Sequence, residues 1–220
     1  MSAVLTGCTV GGPAPVVHPS PTSTVPPFAS ELQSLATAGT LKTYAATYLF
    51  HLAKPSATAL VKVWQSPPSL RIDVISGKTT ASLFITHTGI YSCGVKPRHR
   101  ACFIVAKAGH PIPAPFNVGP SSLFSNDLNT FARYGSTYVV VQAPTTPAST
   151  RVLQTNCFTV KPGVLTPSPQ VQPGTYCLSD IGVVTAVTYP SGNSASLSAF
   201  SFNFPPATMK PYAKASPLPS

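Results

Sequence analysis

Five cysteines carry most of the covalent chemistry this sequence could do: Cys8, Cys93, Cys102, Cys157 and Cys177. With Cys8 set aside an even number remains, and four cysteines allow three disulfide pairings. Cys93 with Cys102, and Cys157 with Cys177, each bracket what reads as two adjacent strands, so local order favours those two bridges. The competing reading is four buried free thiols. Zinc fits poorly, because the spacings are wide and neither a CxxC nor a nearby His pair is present. Catalytic signatures are missing too. There is no G-x-S-x-G, no H-E-x-x-H, no G-x-G-x-x-G and no P-loop. A carboxylate pair about 5–10 Å apart, as glycoside hydrolysis needs, would have to come from the four acids Glu31, Asp73, Asp127 and Asp180. The five histidines (His18, His51, His87, His99 and His110) show no metal spacing. His51 and His87 fall on predicted strands, where a satisfied polar role is the commoner one. The expectation is therefore a protein with no catalytic residue, no metal and no cofactor.

Cys8 needs separate treatment. It ends Leu5-Thr6-Gly7-Cys8, which looks like the lipobox at which a bacterial prolipoprotein is lipidated and cut. Small residues at Thr6 and Gly7 let a peptidase approach the backbone, Leu5 is apolar, and the Cys8 thiol would carry a diacylglycerol. The plain alternative is an ordinary cysteine in a loose terminus. Seven residues precede Cys8, fewer than a charged region plus an apolar region of about 7–15 residues requires. On the lipobox reading, residues 1–7 are the remnant of a signal that starts upstream. Residues 8–27 are then a lipid-anchored Pro/Thr-rich tether. Thr9 to Pro27 holds Pro, Thr, Ser, Gly and Val with one His and no charge, a composition that cannot build a core. Extended at about 3.1 Å per residue, it would reach about 60 Å. The expected location is outside the cytoplasm, on the membrane surface, in a compartment where disulfides persist.

The charge balance narrows the partners. Of 220 residues only 8% are charged, with fourteen basic against four acidic and a formal net charge of +10. Such a surface attracts polyanions: phospholipid headgroups, wall polymers or nucleic acid. No nucleic-acid-binding module is recognisable and the basic residues are dispersed, so nucleic acid is not expected. The densest basic group is the hairpin tip between Cys93 and Cys102, where Lys96, Arg98 and Arg100 could meet an anionic surface. They could equally be solvated charges that discourage edge pairing. No apolar run reaches the 18 or more residues that a membrane-spanning helix needs.

The positioning elements follow from periodicity. A short helix is predicted over Phe28–Ala38, capped by Ser30 and stopped by Gly39. From Thr43 the period changes to two. Tyr44, Ala46, Tyr48 and Phe50 share one face, and further strands follow at intervals of about ten residues to Val105, the cadence of an antiparallel meander. Lys107 to Pro120 is Pro-rich and without pattern. Ser121–Tyr134 is predicted as one helix with an apolar stripe of Leu123, Phe124, Leu128, Phe131 and Tyr134, ended by Gly135 as a C′ glycine. More strands run over 137–142, 151–160, 175–178, 181–189 and 196–204, where Phe200, Phe202 and Phe204 alternate with Ser and Asn. Pro205-Pro206 closes regular structure and residues 207–220 read as a flexible tail. One domain, 28–206, results.

This order of elements resembles the LolA-like lipoprotein-carrier superfamily, in particular its actinobacterial envelope lipoproteins. The stretches that carry the likeness are Lys42–Val74 with Trp64-Gln65-Ser66-Pro67-Pro68-Ser69-Leu70-Arg71-Ile72, Gly89–Cys93 with Cys102, and Cys157 with Gly174–Val183. It implies an α+β, mainly β fold: a strongly curved antiparallel sheet of about 10–11 strands, an unclosed half-barrel with helices on its concave face. It also implies an apolar cavity for acyl chains and no catalytic residues. Tyr44, Tyr48, Phe50, Phe124, Leu128, Phe131, Phe200 and Phe202 are the candidate cavity lining, though each could be plain core. Two functions remain: a tethered carrier of lipid or another amphiphile, and a tethered interaction module, either acting as a monomer.

Overall fold

The structure is a computed structural model and describes residues 27–96, 99–117, 119–145, 153–164, 166 and 171–217. Cys8, the signal remnant, almost all of the tether and Arg98 lie outside the described residues, as does the side chain of Lys96.

Six strands follow the first helix α1 (Pro27–Thr40) as a meander: β1 (Tyr44–Leu52), β2 (Ala57–Ser66), β3 (Ser69–Ser76), β4 (Thr79–Thr86), β5 (Gly89–Lys96) and β6 (His99–Ala106). A second meander comprises β7 (Val139–Ala143), β8 (Thr155–Lys161), β9 (Gly174–Ser179), β10 (Val184–Thr188) and β11 (Ser194–Ser201). β1 pairs antiparallel with β11 and joins the two into one sheet, of order β12-β6-β5-β4-β3-β2-β1-β11-β10-β9-β8-β7. The end strands do not pair, so the sheet is curved but unclosed. Its alternation is that of a one-sided core. Ala46, Val63, Ile72 and Leu83 are cross-strand neighbours in one row, and all four are buried.

Because β6 and β7 belong to opposite ends of the sheet, the chain between them must travel across a face. It does so as a broken helix: α2 (Pro120–Ser122), a π-helical turn (Leu123–Asp127) and α3 (Leu128–Tyr134). The predicted apolar stripe is what anchors it. Leu123, Phe124, Leu128 and Phe131 are buried, whereas Tyr134 stays 43% exposed. The π turn breaks the single helix expected from sequence.

Two glycines matter for reasons other than those the sequence suggested. Gly135 is right-handed, with φ −52°, and not a left-handed C′ residue. A Cβ there would come within 2.7 Å of the Gln33 Cβ, so glycine is needed for α3 to close on α1. The Gln33 side chain completes that junction. Its Nε2 donates to the Ala132 carbonyl at 3.3 Å and its Oε1 accepts from the Ser136 N–H at 3.2 Å. Gly39, read as a helix stop, lies inside α1, where a Cβ would run into the Gly182 carbonyl. α1 also begins earlier than expected, at Pro27, since a proline in the first turn gives up no intrahelical hydrogen bond.

Both disulfides expected from local order are formed. Cys93 and Cys102 are direct cross-strand partners on β5 and β6, and Cys157 and Cys177 on β8 and β9.

The C-terminal segment corrects the sequence reading most. Residues 206–217 are not a loose tail. After a 3₁₀ turn (Pro206–Met209) the chain crosses the outer face, and β12 (Ala215–Pro217) pairs with β6 in parallel. The sheet therefore has twelve strands and is mixed. Beneath this strap lies Arg71. Its guanidinium holds Asp73 through two bonds of 2.8 and 2.6 Å and donates to the Thr208 carbonyl at 2.8 Å. It also stacks over Trp64, Phe84 and Tyr212 at 4.6, 4.9 and 5.6 Å. The Tyr212 hydroxyl reaches Ser82 at 2.9 Å. Phe84 and the Cys93–Cys102 bridge are sealed below. Tyr212→Ala is expected to cost about 2 kcal/mol by uncovering Phe84 and losing the Ser82 contact. Arg71→Ala is expected to cost about 3 kcal/mol by stranding the buried Asp73 carboxylate. Urea midpoints check both, and the double variant should fall well short of the sum because one cluster is lost twice.

Candidate functional site

The candidate cavity residues divide into three groups. Tyr44, Tyr48, Phe50, Phe124, Leu128 and Phe131 are all buried in one main core. The Tyr48 and Phe124 rings stand 4.6 Å apart, and Phe131 packs edge-on against Tyr138 and Tyr176 at 5.5 and 4.9 Å. The Tyr48 hydroxyl donates to the Val184 carbonyl at 3.0 Å, and burial holds its pKa well above the ordinary value. Sheet and central helix thus interlock over much of the place where the sequence put a void, although Phe124 and Leu128 also border a smaller pocket beside α3. Phe200 is half-buried and packs on Tyr44 at 5.9 Å. Phe202 is 57% exposed and lines an open cleft of about 680 Å³ at the ends of β1 and β11, with Phe204, Pro205, Pro206 and Met209. Of the anionic-contact residues, Arg100 is exposed on β6.

An apolar opening exists, displaced from the expected place. α1 meets β7 and β9, Phe131 of α3 packs on Tyr176 of β9, and α2 only just reaches β3. Beyond that point the concave face of β3–β5 is covered by a loop. Between them lies a groove of about 380 Å³, whose floor is Leu52, Val74, Ala81 and Leu83 and whose lip is Pro115, Phe116 and Gly119–Ser121. That volume is within the range of small-molecule sites, about 300–1,000 Å³. The lip comes from the Pro-rich stretch in which the sequence showed no pattern. A 3₁₀ turn (Ala114–Phe116) starts it, and Gly119 at φ +54° turns it into α2. The Ser125 hydroxyl fastens it, lying 2.6 Å from the Ser121 carbonyl and 3.1 Å from Asn117 Oδ1. Phe116 carried no signal, because what it covers is set by distant strands.

Asp127, in the π turn, is the acid that the sequence did not single out. It is buried, with Ser122 at 3.5 Å, Asn126 at 3.3 Å and the Tyr176 hydroxyl at 3.4 Å. Among the described residues no cation pairs with it, the one ion pair being Arg71–Asp73. Burial raises its pKa from 3.8 to about 6, against the lowering effect of the three hydrogen-bond donors. The Asp127 charge also pushes up the buried Tyr176 and Tyr189 hydroxyls, after desolvation, which is the larger cause. Among the described residues no cluster of His, Cys, Asp or Glu could hold a metal ion, and no helix is long and apolar enough to cross a membrane.

No protein-family model and no curated protein matches this chain. Among solved structures it is similar to a DUF1329 family protein from Desulfovibrio piger, at 5% identity over 83% of this chain and 97% of that one, with a TM-score of 0.39. A likeness that shallow carries no argument about function, which rests on the geometry above.

Asp127 yields a pH prediction. An acid with a raised folded-state pKa binds its proton more tightly when folded, so its contribution is most favourable at low pH. Stability should fall as pH rises from 3.8 to about 6. Above that window a standing cost of about 3 kcal/mol remains. Asp127→Asn should therefore raise the urea midpoint at pH 7.5 and leave it nearly unchanged at pH 3.5.

Proposed function

We propose that this protein is an extracytoplasmic, non-catalytic binding module. It takes the apolar part of a lipid or similar amphiphile into the groove between β3–β5 and the lip of residues 114–117 and 119–121. The observation that carries the reading is the groove itself: an opening of about 380 Å³, floored by aliphatic side chains and covered only by the loop before α2 and the first residues of α2. Desolvation supplies the affinity, at about 0.8 kcal/mol for each methylene that leaves water. The LolA-like order of elements points the same way. Two disulfides support a location outside the cytoplasm, since such bridges persist in oxidising compartments. The lipobox-like Leu5-Thr6-Gly7-Cys8 would hold the module to the membrane as a monomer on a Pro/Thr tether.

Ala81 offers a clean test because it is exposed on the groove floor. Ala81→Trp should fill the groove and lower the affinity for a fluorescent long-chain acyl probe by at least about tenfold, with the melting temperature preserved. Native mass spectrometry of the unmodified chain should show co-purified lipid that the variant lacks. Unchanged probe binding in a folded variant would sink the reading.

A second reading, an interaction module for anionic wall polymer or membrane, draws on the charge. Among the described residues one basic side chain, Arg71, is paired with a carboxylate, and the full chain carries fourteen basic residues against four acidic ones. It predicts salt-sensitive cosedimentation with anionic polymer, indifferent to Ala81→Trp.

A further inference from the structure

A second pocket lies at the opposite end of β3 from the groove. Its floor and walls are Leu70, Phe124, Leu128 and the Pro67-Pro68 turn, and its mouth carries Asn129 and Arg133 from α3 with Thr40 from the end of α1. Its volume is about 290 Å³. Leu70 and Val74 mark the two ends: the first faces this pocket and the second the groove, while Ile72 between them is 1% exposed and packed in the core. The two openings are therefore distinct sites.

The lining suits one kind of ligand. The pocket's polar groups are largely committed to the protein. Gln65 donates to the Gly39 and Lys42 carbonyls at 2.6 and 3.2 Å, and the Asn129 amide donates to the Ser125 carbonyl at 2.8 Å. Thr40 donates to the Thr37 carbonyl at 2.8 Å. Arg133 is different. Its side chain is exposed at the mouth, and none of the four acids forms an ion pair with it. Glu31 holds Asn156, Asp73 holds Arg71, Asp127 is held by Ser122, Asn126 and Tyr176, and Asp180 accepts from the Ile181 N–H. A rigid, planar cation left without a carboxylate stands over an apolar floor. Guanidinium matches a carboxylate in two parallel hydrogen bonds. The apolar floor requires a ligand whose body gains by leaving water, and the volume limits that body to a short one.

We propose that this pocket binds a small carboxylate with a short apolar body, the carboxylate on Arg133 and the body on Leu70, Phe124 and Leu128. The site does not rest on the groove reading, and the two fail separately.

Isothermal titration of the folded chain with octanoate, and with octanol as its uncharged counterpart, tests the proposal. Octanoate should bind, more weakly as salt rises. Arg133→Gln should weaken octanoate by about tenfold and change octanol little, and Arg133→Lys should restore part of the loss. Asn129→Trp, at an exposed helix position beside the mouth, should abolish the salt-sensitive, Arg133-dependent octanoate binding, whereas Ala81→Trp should leave that component unchanged and remove only salt-insensitive binding in the groove. Melting temperatures of all variants confirm that they fold. The proposal is overturned if octanoate fails to bind at millimolar concentration, or binds Arg133→Gln as tightly as the unmodified chain. Loss of the salt-sensitive octanoate binding in Ala81→Trp would also overturn it and place the acid in the groove.

Discussion

The position of two strands governs most of this molecule. β6 lies beside one end of the sheet and β7 at the other, so the segment between them has to cross the concave face. Once it crosses, its apolar stripe becomes the second layer of the core, with Phe124 against Tyr48 and Phe131 against Tyr138 and Tyr176. The same crossing determines where space is left. A broken helix of fifteen residues, Pro120–Tyr134, covers part of a twelve-stranded sheet, and at about 1.5 Å per residue it spans only some 22 Å. The rest is covered by the Pro-rich approach to it. The groove under Phe116 and the pocket beside Arg133 are two places where that cover stops short.

The outer face is organised differently, around scarce charge. Four acids serve fourteen basic residues, and one of them, Asp73, is buried with Arg71 inside a frame of Trp64, Phe84 and Tyr212. A buried ion pair costs desolvation energy and is stabilising only when its remaining valences are met. Here the C-terminal strap meets them, through the Thr208 carbonyl and the Tyr212 ring. The strap therefore belongs to the domain, and it shields the Cys93–Cys102 bridge.

Much of the fold was legible because strands betray themselves locally. The Tyr44–Phe50 alternation, the turn residues and the bracketing cysteines need only near neighbours to be interpreted, and they yielded a curved sheet, a central amphipathic helix and two cross-strand bridges. Gly39 and Gly135 were noticed as punctuation, yet their role is close packing against Gly182 and Gln33. That role depends on chain segments far away in sequence. Tyr212 was overlooked for the same reason, since three residues of β12 carry no period and their partner is more than a hundred residues upstream.

By itself the sequence determined the class of structure, the locally favoured bridges, the basic exterior and the absence of recognisable catalytic patterns, because composition and short-range periodicity encode all four. The tertiary structure decided which aromatic residues are core and which are lining. Tyr48 and Phe131 have the composition of a ligand cavity, but their space is filled by Phe124 and by Tyr138 and Tyr176. Leu83, Ala81 and Phe116 look ordinary and border an opening. Whether a side chain meets another side chain or a void depends on the opposing layer, and that layer arrives from the other end of the chain.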